Sequence, residues 1–148
     1  MKLFLHTDAL LDCFASQAPH YGDMVTLRQA QLFGDVELWA SAQSYIRALQ
    51  VLSELAGSAQ AKAALKHSRS FIKLCGVDGA DMWDALDSDW PEPEAYAVAR
   101  GAAKVKADYI ISRDTEQFPA VKQPVLTPRQ FLSLLREQYG YSYEEIAL

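Results

Sequence analysis

The sequence predicts an α/β fold of three layers, a central parallel sheet between two layers of helices. Two observations carry this. Short apolar runs of strand length alternate with longer helical segments along the whole chain, an order that belongs to parallel sheets with helical crossovers. The 148 residues are half apolar and 22% charged, which suits one sizeable core in an ordinary globular protein. Neither a repeat nor a low-complexity linker interrupts them. Residues 1–148 therefore read as one domain, with a core over about 2–135 and a tail over 136–148.

Each element has a local reason. Residues 2–6 are a short apolar run and read as a buried strand. Residues 9–15 continue as a helix, with Asp8 as the expected N-cap. Residues 16–22 hold Pro19 and Gly22 among polar neighbours and read as loop. Residues 24–33 form the second expected helix, stopped by Gly34. Residues 36–39 are a short strand. Residues 41–55 are helical: Tyr45, Leu49, Leu52 and Ala56 recur at helical spacing, and Gly57-Ser58 ends the run. Residues 59–65, rich in Ala and Lys, are another helix. A strand is expected at 71–74, a short helix at 79–86 and an acidic, proline-containing loop at 87–93. Residues 94–104 form an alanine-rich helix, whose small side chains suit close packing on a sheet. Residues 109–112 and 125–126 are the last strands. Thr127-Pro128 caps a final helix over 129–139. The segment from Tyr139 to the end has three tyrosines and no strong period, which suits a loose end or a partner contact.

Composition narrows the function classes. The net charge is −5, from 14 Lys and Arg against 19 Asp and Glu. That disfavours a general nucleic-acid coat, whose affinity comes from basic residues on phosphates. It leaves room for a pocket of carboxylates. No run of about 18 apolar residues is present, so no membrane span is expected. The first residues lack a long apolar stretch with a small-residue cleavage site, so a cytoplasmic protein is expected. Cys13 and Cys75 are the only cysteines. Their spacing makes neither a disulfide framework nor a zinc site, and both read as small buried hydrophobes. Trp39, Trp83 and Trp90 read as core or lid residues rather than base-stacking platforms. His20 and His67 lie in polar surroundings and carry no functional reading.

The most specific segment is Ala107-Asp108-Tyr109-Ile110-Ile111-Ser112-Arg113-Asp114. Phe118 follows it, and then Pro124-Val125-Leu126-Thr127-Pro128-Arg129-Gln130-Phe131-Leu132. The chain opens with Lys2-Leu3-Phe4-Leu5-His6-Thr7-Asp8-Ala9-Leu10-Leu11-Asp12. Together, and in this order, these segments resemble the PIN domain, a family of metal-dependent ribonucleases, over roughly residues 2–135. The resemblance implies about four acidic side chains at the carboxyl ends of parallel strands. Such acids hold Mg²⁺ or Mn²⁺, hard cations that want oxygen ligands, and the metal activates water and stabilises charge on the phosphate.

Carried over by position, those acids are only partly present. The first falls on His6, a poor Mg²⁺ ligand, which also suits a hydrogen-bonded core histidine. Asp8 stands two residues on, where the family has Asn, and Asp12 is the other acid nearby. The second acid falls on Arg47, which repels a metal but pairs with carboxylates such as Glu94 or Asp114, or binds a phosphate. Glu54 lies about 10 Å further along the same helix, too far to replace it. The third lies in Glu92-Pro93-Glu94-Ala95: an ungapped count puts Ala95 at the acid and keeps Glu94, and one inserted residue puts Glu94 there. Both glutamates also suit a helix start, where the dipole favours carboxylates. The fourth, Asp114, is intact, although an acid there also serves as a loop cap. Arg113 beside it is a nucleic-acid contact or an ordinary surface charge.

Two functions follow from the resemblance. The first is a PIN-like domain with a degenerate acidic site, non-catalytic or weakly active, binding RNA through Arg47 and Arg113 or binding a protein partner. The second is a divergent Mg- or Mn-dependent ribonuclease, such as the toxin of a toxin–antitoxin pair. In that reading Asp8, Glu94 and Asp114 hold one metal with Asp12 in support and are the catalytic acids, and an antitoxin-like protein is the partner. The resemblance also implies a homo-oligomer. A dinucleotide-binding fold is disfavoured, because His6-Thr7-Asp8-Ala9-Leu10 lacks the glycine-rich turn after strand one.

Overall fold

The computed structural model describes residues 1–143. Five strands, β1 (Lys2–Leu5), β2 (Glu37–Ser41), β3 (Ile72–Cys75), β4 (Tyr109–Ile111) and β5 (Val125–Leu126), form one sheet in the order β3-β2-β1-β4-β5. Every pairing is parallel. The register sets Leu5 beside Ala40 on one side and Ile111 on the other. Among the described residues seven helices flank the sheet: α1 (Thr7–Asp12), α2 (Tyr21–Leu32), α3 (Ala42–Ala56), α4 (Ser58–His67), α5 (Gly79–Asp87), α6 (Pro93–Lys104) and α7 (Pro128–Tyr139). This is the three-layer α/β/α fold with a parallel sheet that the alternating pattern predicts.

Strand β1 is central, so its side chains are buried on both faces. Leu3 and Leu5 pack with residues of α1, α2, α3, α4 and α7. Phe4 points the other way and packs with Ala95, Val98 and Ala102 of α6. All three are fully buried, and each contributes about 1.5–3 kcal/mol by leaving water. The alanines of α6 let the helix lie close to the sheet. At Gly101 a Cβ would come within 2.6 Å of the Phe4 ring, so this position has room for no side chain.

The helix ends follow their caps. Ser41 accepts a hydrogen bond from the Ser44 N–H at the start of α3. Asp78 with Asp81, and Thr127 with Gln130, form reciprocal capping boxes on α5 and α7. Gly57, with φ of +90°, divides α3 from α4.

Four sequence expectations are corrected. Helix α1 begins at Thr7, with His6 in the N-cap position, and ends at Asp12. Asp8 is therefore inside the first turn and is not the cap: its carboxylate is drawn to the neighbouring strand end. Helix α2 starts at Tyr21, where residues 16–22 read as loop. Trp83 is 68% exposed on α5, which removes the core half of its core-or-lid reading. Cys13 is only half-buried by its surface, unlike buried Cys75. Of the tail, Tyr139 and Tyr141 stack, and the Tyr143 hydroxyl donates to Asp35 Oδ2 at 2.6 Å. Residues 144–148 lie outside the described residues.

Candidate functional site

The chain leaves β1 towards β2 and β3 on one side, and towards β4 and β5 on the other. Beyond the carboxyl end of β1 the two halves part, and such a switch point is where open parallel sheets hold their ligands. A cleft of about 240 Å³ lies there, lined by His6, Thr7, Asp8, Leu11, Arg47, Glu92, Glu94, Ala95, Arg113 and Gln117.

Three elements set its floor. Thr7 opens α1, Ser44 is in the first turn of α3 and Glu94 is in the first turn of α6. The hydroxyls of Thr7 and Ser44 are 2.8 Å apart, and Ser41 Oγ donates to Ser44 Oγ at 3.0 Å. Thr7 Oγ1 donates in turn to Glu94 Oε1. A line of buried hydroxyls thus runs from the end of β2 to a carboxylate on α6 and fixes where that carboxylate points.

His6 is 5% exposed. Its Nε2 donates to Gln117 Oε1 at 2.8 Å, and its ring meets Phe118 edge-on at 5.2 Å. Its Nδ1 is buried and has no hydrogen-bond partner among the described residues.

The Asp8 carboxylate is already engaged. Oδ2 accepts from Ser112 Oγ and from the Arg113 N–H, each at 3.0 Å, and Oδ1 accepts from the Ala9 N–H. Arg113 Nε also lies 3.1 Å from Asp12 Oδ2, in ion-pair contact without hydrogen-bond alignment. Asp12 is 2% exposed. Burial pushes its carboxyl above the usual aspartate range, while Arg113 and His20 pull it back and Asp8 adds to the rise. Cys13, although part of its surface is open, packs against the core, and the burial there pushes its thiol up to about 12, so that it stays protonated at neutral pH.

The residues expected at the site divide. His6, Asp8, Arg47, Glu94, Ala95 and Arg113 all line the cleft, as does Glu92. Asp114 is absent from its lining. The Asp114 carboxylate accepts the Glu116 N–H at 3.1 Å and caps a short 3-10 turn over Thr115–Gln117. Arg47 forms no ion pair with Glu94 or Asp114 among the described residues, and stands exposed. Asp12, the other acid near the first strand, does not line the cleft and pairs with Arg113 instead; Gln117 is what the sequence did not assign. Gln117 carries no motif, and only its place in the turn after β4 brings it to His6.

The donors test poorly against a hard divalent cation. Among the described residues no group of three His, Cys, Asp or Glu side chains is placed to share one ion. Asp8 spends its oxygens on hydroxyl and amide donors, Glu94 spends one on Thr7, and two guanidinium groups line the same space. The arrangement as it stands does not fit Mg²⁺ or Mn²⁺. It can hold an anion against Arg47 and Arg113, or a polar group against Glu92 and Glu94.

Comparison with known proteins decides the family. A model of the PIN domain matches residues 2–116. The chain belongs to the PIN domain family. Solved structures agree on the fold. The Mycobacterium tuberculosis toxin VapC20, described as cleaving the sarcin-ricin loop, is 13% identical; the match covers 78% of this chain and 92% of that one, with a TM-score of 0.61. DNA-bound VapBC from Salmonella typhimurium is 9% identical, over 86% and 98%, with a TM-score of 0.63. FitAcB from Neisseria gonorrhoeae is 16% identical, over 86% and 98%, with a TM-score of 0.59. No curated protein matches the sequence. Among the described residues no helix is long and apolar enough to cross a membrane.

Proposed function

We propose that this PIN domain acts by binding, and that its cleft lacks the family's metal-dependent cleavage or retains only a trace of it. The observation that carries this is the lining itself: His6 and Arg47 occupy the cleft where the family resemblance calls for acids. A fixed positive charge beside the remaining carboxylates opposes a divalent cation and favours a phosphate. The ligand of the cleft is single-stranded RNA, held through its phosphates by Arg47 and Arg113. A protein partner of antitoxin type is supported by the likeness to VapBC and FitAcB. The protein is a cytoplasmic single domain in this reading.

The competing reading is a divergent ribonuclease using Asp8, Glu94 and Asp114, and two of those line the cleft. The test is incubation with mixed single-stranded RNA and Mn²⁺, beside an EDTA control and Asp114→Ala. The expected result is no cleavage by the wild type. Cleavage that disappears in both controls establishes the nuclease and overturns the proposal.

Binding has its own measurement. Arg47→Ala should weaken RNA binding and flatten the dependence of log K on log salt by about 0.7, one phosphate contact on a single strand. Fluorescence anisotropy across a salt series reads both. An unchanged slope removes Arg47 from the interface.

A further inference from the structure

A groove of about 710 Å³, larger than the cleft and sharing no residue with it, lies at the β3 edge of the sheet between α3, α4 and β3. Leu49, Leu65 and Ile72 line it, with Ile46 and Leu74 at 61% and 50% exposure. An exposed apolar surface of this kind marks a docking site more often than an accident of packing. The other lining side chains decide what docks. Lys62, Lys66, Arg69 and Lys73 all line the groove, and among the described residues no Asp or Glu does. This holds although the whole chain carries a charge of −5 with only 14 basic residues. Lys73 pairs with Glu37. Lys62, Lys66 and Arg69 form no ion pair among the described residues. Lys62 and Lys66 are one turn apart on α4, where like charges repel. The free protein keeps that repulsion, and an acidic occupant relieves it.

We propose that the groove docks an acidic amphipathic segment of a partner protein, with apolar side chains on Ile46, Leu49 and Leu74 and carboxylates facing Lys62, Lys66 and Arg69. RNA fits less well. The floor is apolar, and among the described residues its lining holds a single aromatic ring, Tyr45, so successive bases have no row of rings to stack on. A second copy of this chain in a two-fold contact sets the same cations against each other. The proposal stands apart from the reading of the cleft, since the two surfaces share no residue.

The experiment is selection of a displayed library of random 16-residue peptides on the full chain. The selected peptides are then measured by anisotropy on the wild type, Ile46→Asp and Lys62→Glu/Lys66→Glu. All three substituted side chains are exposed, so the fold should survive, and circular dichroism melts check this. The expected result is enrichment of peptides that mix Leu or Ile with Asp and Glu, bound at least 10-fold more weakly by both variants. Selection without acidic bias overturns the proposal, as does unchanged affinity for the variants. A wild-type dimer in sedimentation that Ile46→Asp dissolves also overturns it, in favour of self-association. RNA that displaces the peptides from the wild type and binds less well to Lys62→Glu/Lys66→Glu reassigns the groove to nucleic acid.

Discussion

Asp12 and Arg113 show how a buried charge shapes this molecule. Arg113 reaches only one side of the carboxylate, and burial outweighs its pull. The native state then holds the Asp12 proton more tightly than the unfolded chain does. Stability from this group is full below the ordinary aspartate value of about 3.9 and falls as pH rises through the higher native value. Asp12→Asn should remove that downward slope, and denaturant midpoints compared between about pH 4 and pH 7 would show it. A slope identical to wild type would mean that Arg113 fully compensates the burial.

At the scale of elements, Asp81 works in the opposite sense. It joins the α5 capping box with Asp78 and also meets Lys104 and Arg100 of α6. The hydrogen bond from Lys104, then the Asp78 N–H and, more weakly, Arg100, hold its carboxyl well below the usual range. This contribution is present above the unfolded value and is lost as pH falls towards the native one. Asp81→Asn should therefore blunt acid unfolding below about pH 4; an acid limb as steep as wild type would clear Asp81 of that role. The contact of α6 with β1 is steric. Gly101→Ala should lower stability by about 1–3 kcal/mol through overpacking against Phe4. Phe4→Leu in the same chain should recover part of that loss, as a double-mutant cycle by thermal melting would measure. The elements themselves were legible because apolar runs such as 109–112 and the alanine-rich helix carry their periods locally. The start of α1 was not. Asp8 is a good N-cap by type, yet its carboxylate takes donors 104 and 105 residues away. Long-range partners across the sheet outcompete a local cap.

For the whole molecule, the order of segments was enough to place the cleft, since parallel topology alone brings the ends of β1, β2 and β4 together. Which side chains meet inside it was only partly readable. Arg47 and Glu94 follow from position along the family pattern. The Thr7–Ser44 hydroxyl pair and the Gln117–His6 bond depend on rotamers and on a 3-10 turn, and neither leaves a period in the sequence. The opposite end of the sheet has a feature of its own. The Met1 ammonium donates to the Asp35 carbonyl at 3.1 Å, and the Tyr143 hydroxyl binds the carboxylate of the same residue. Met1 and Tyr143 are thus moored to a single aspartate at the amino ends of the strands, away from the mouth of the cleft. A fluorescent reporter or an affinity handle grafted at Met1 would emerge on that far side and leave the binding face clear.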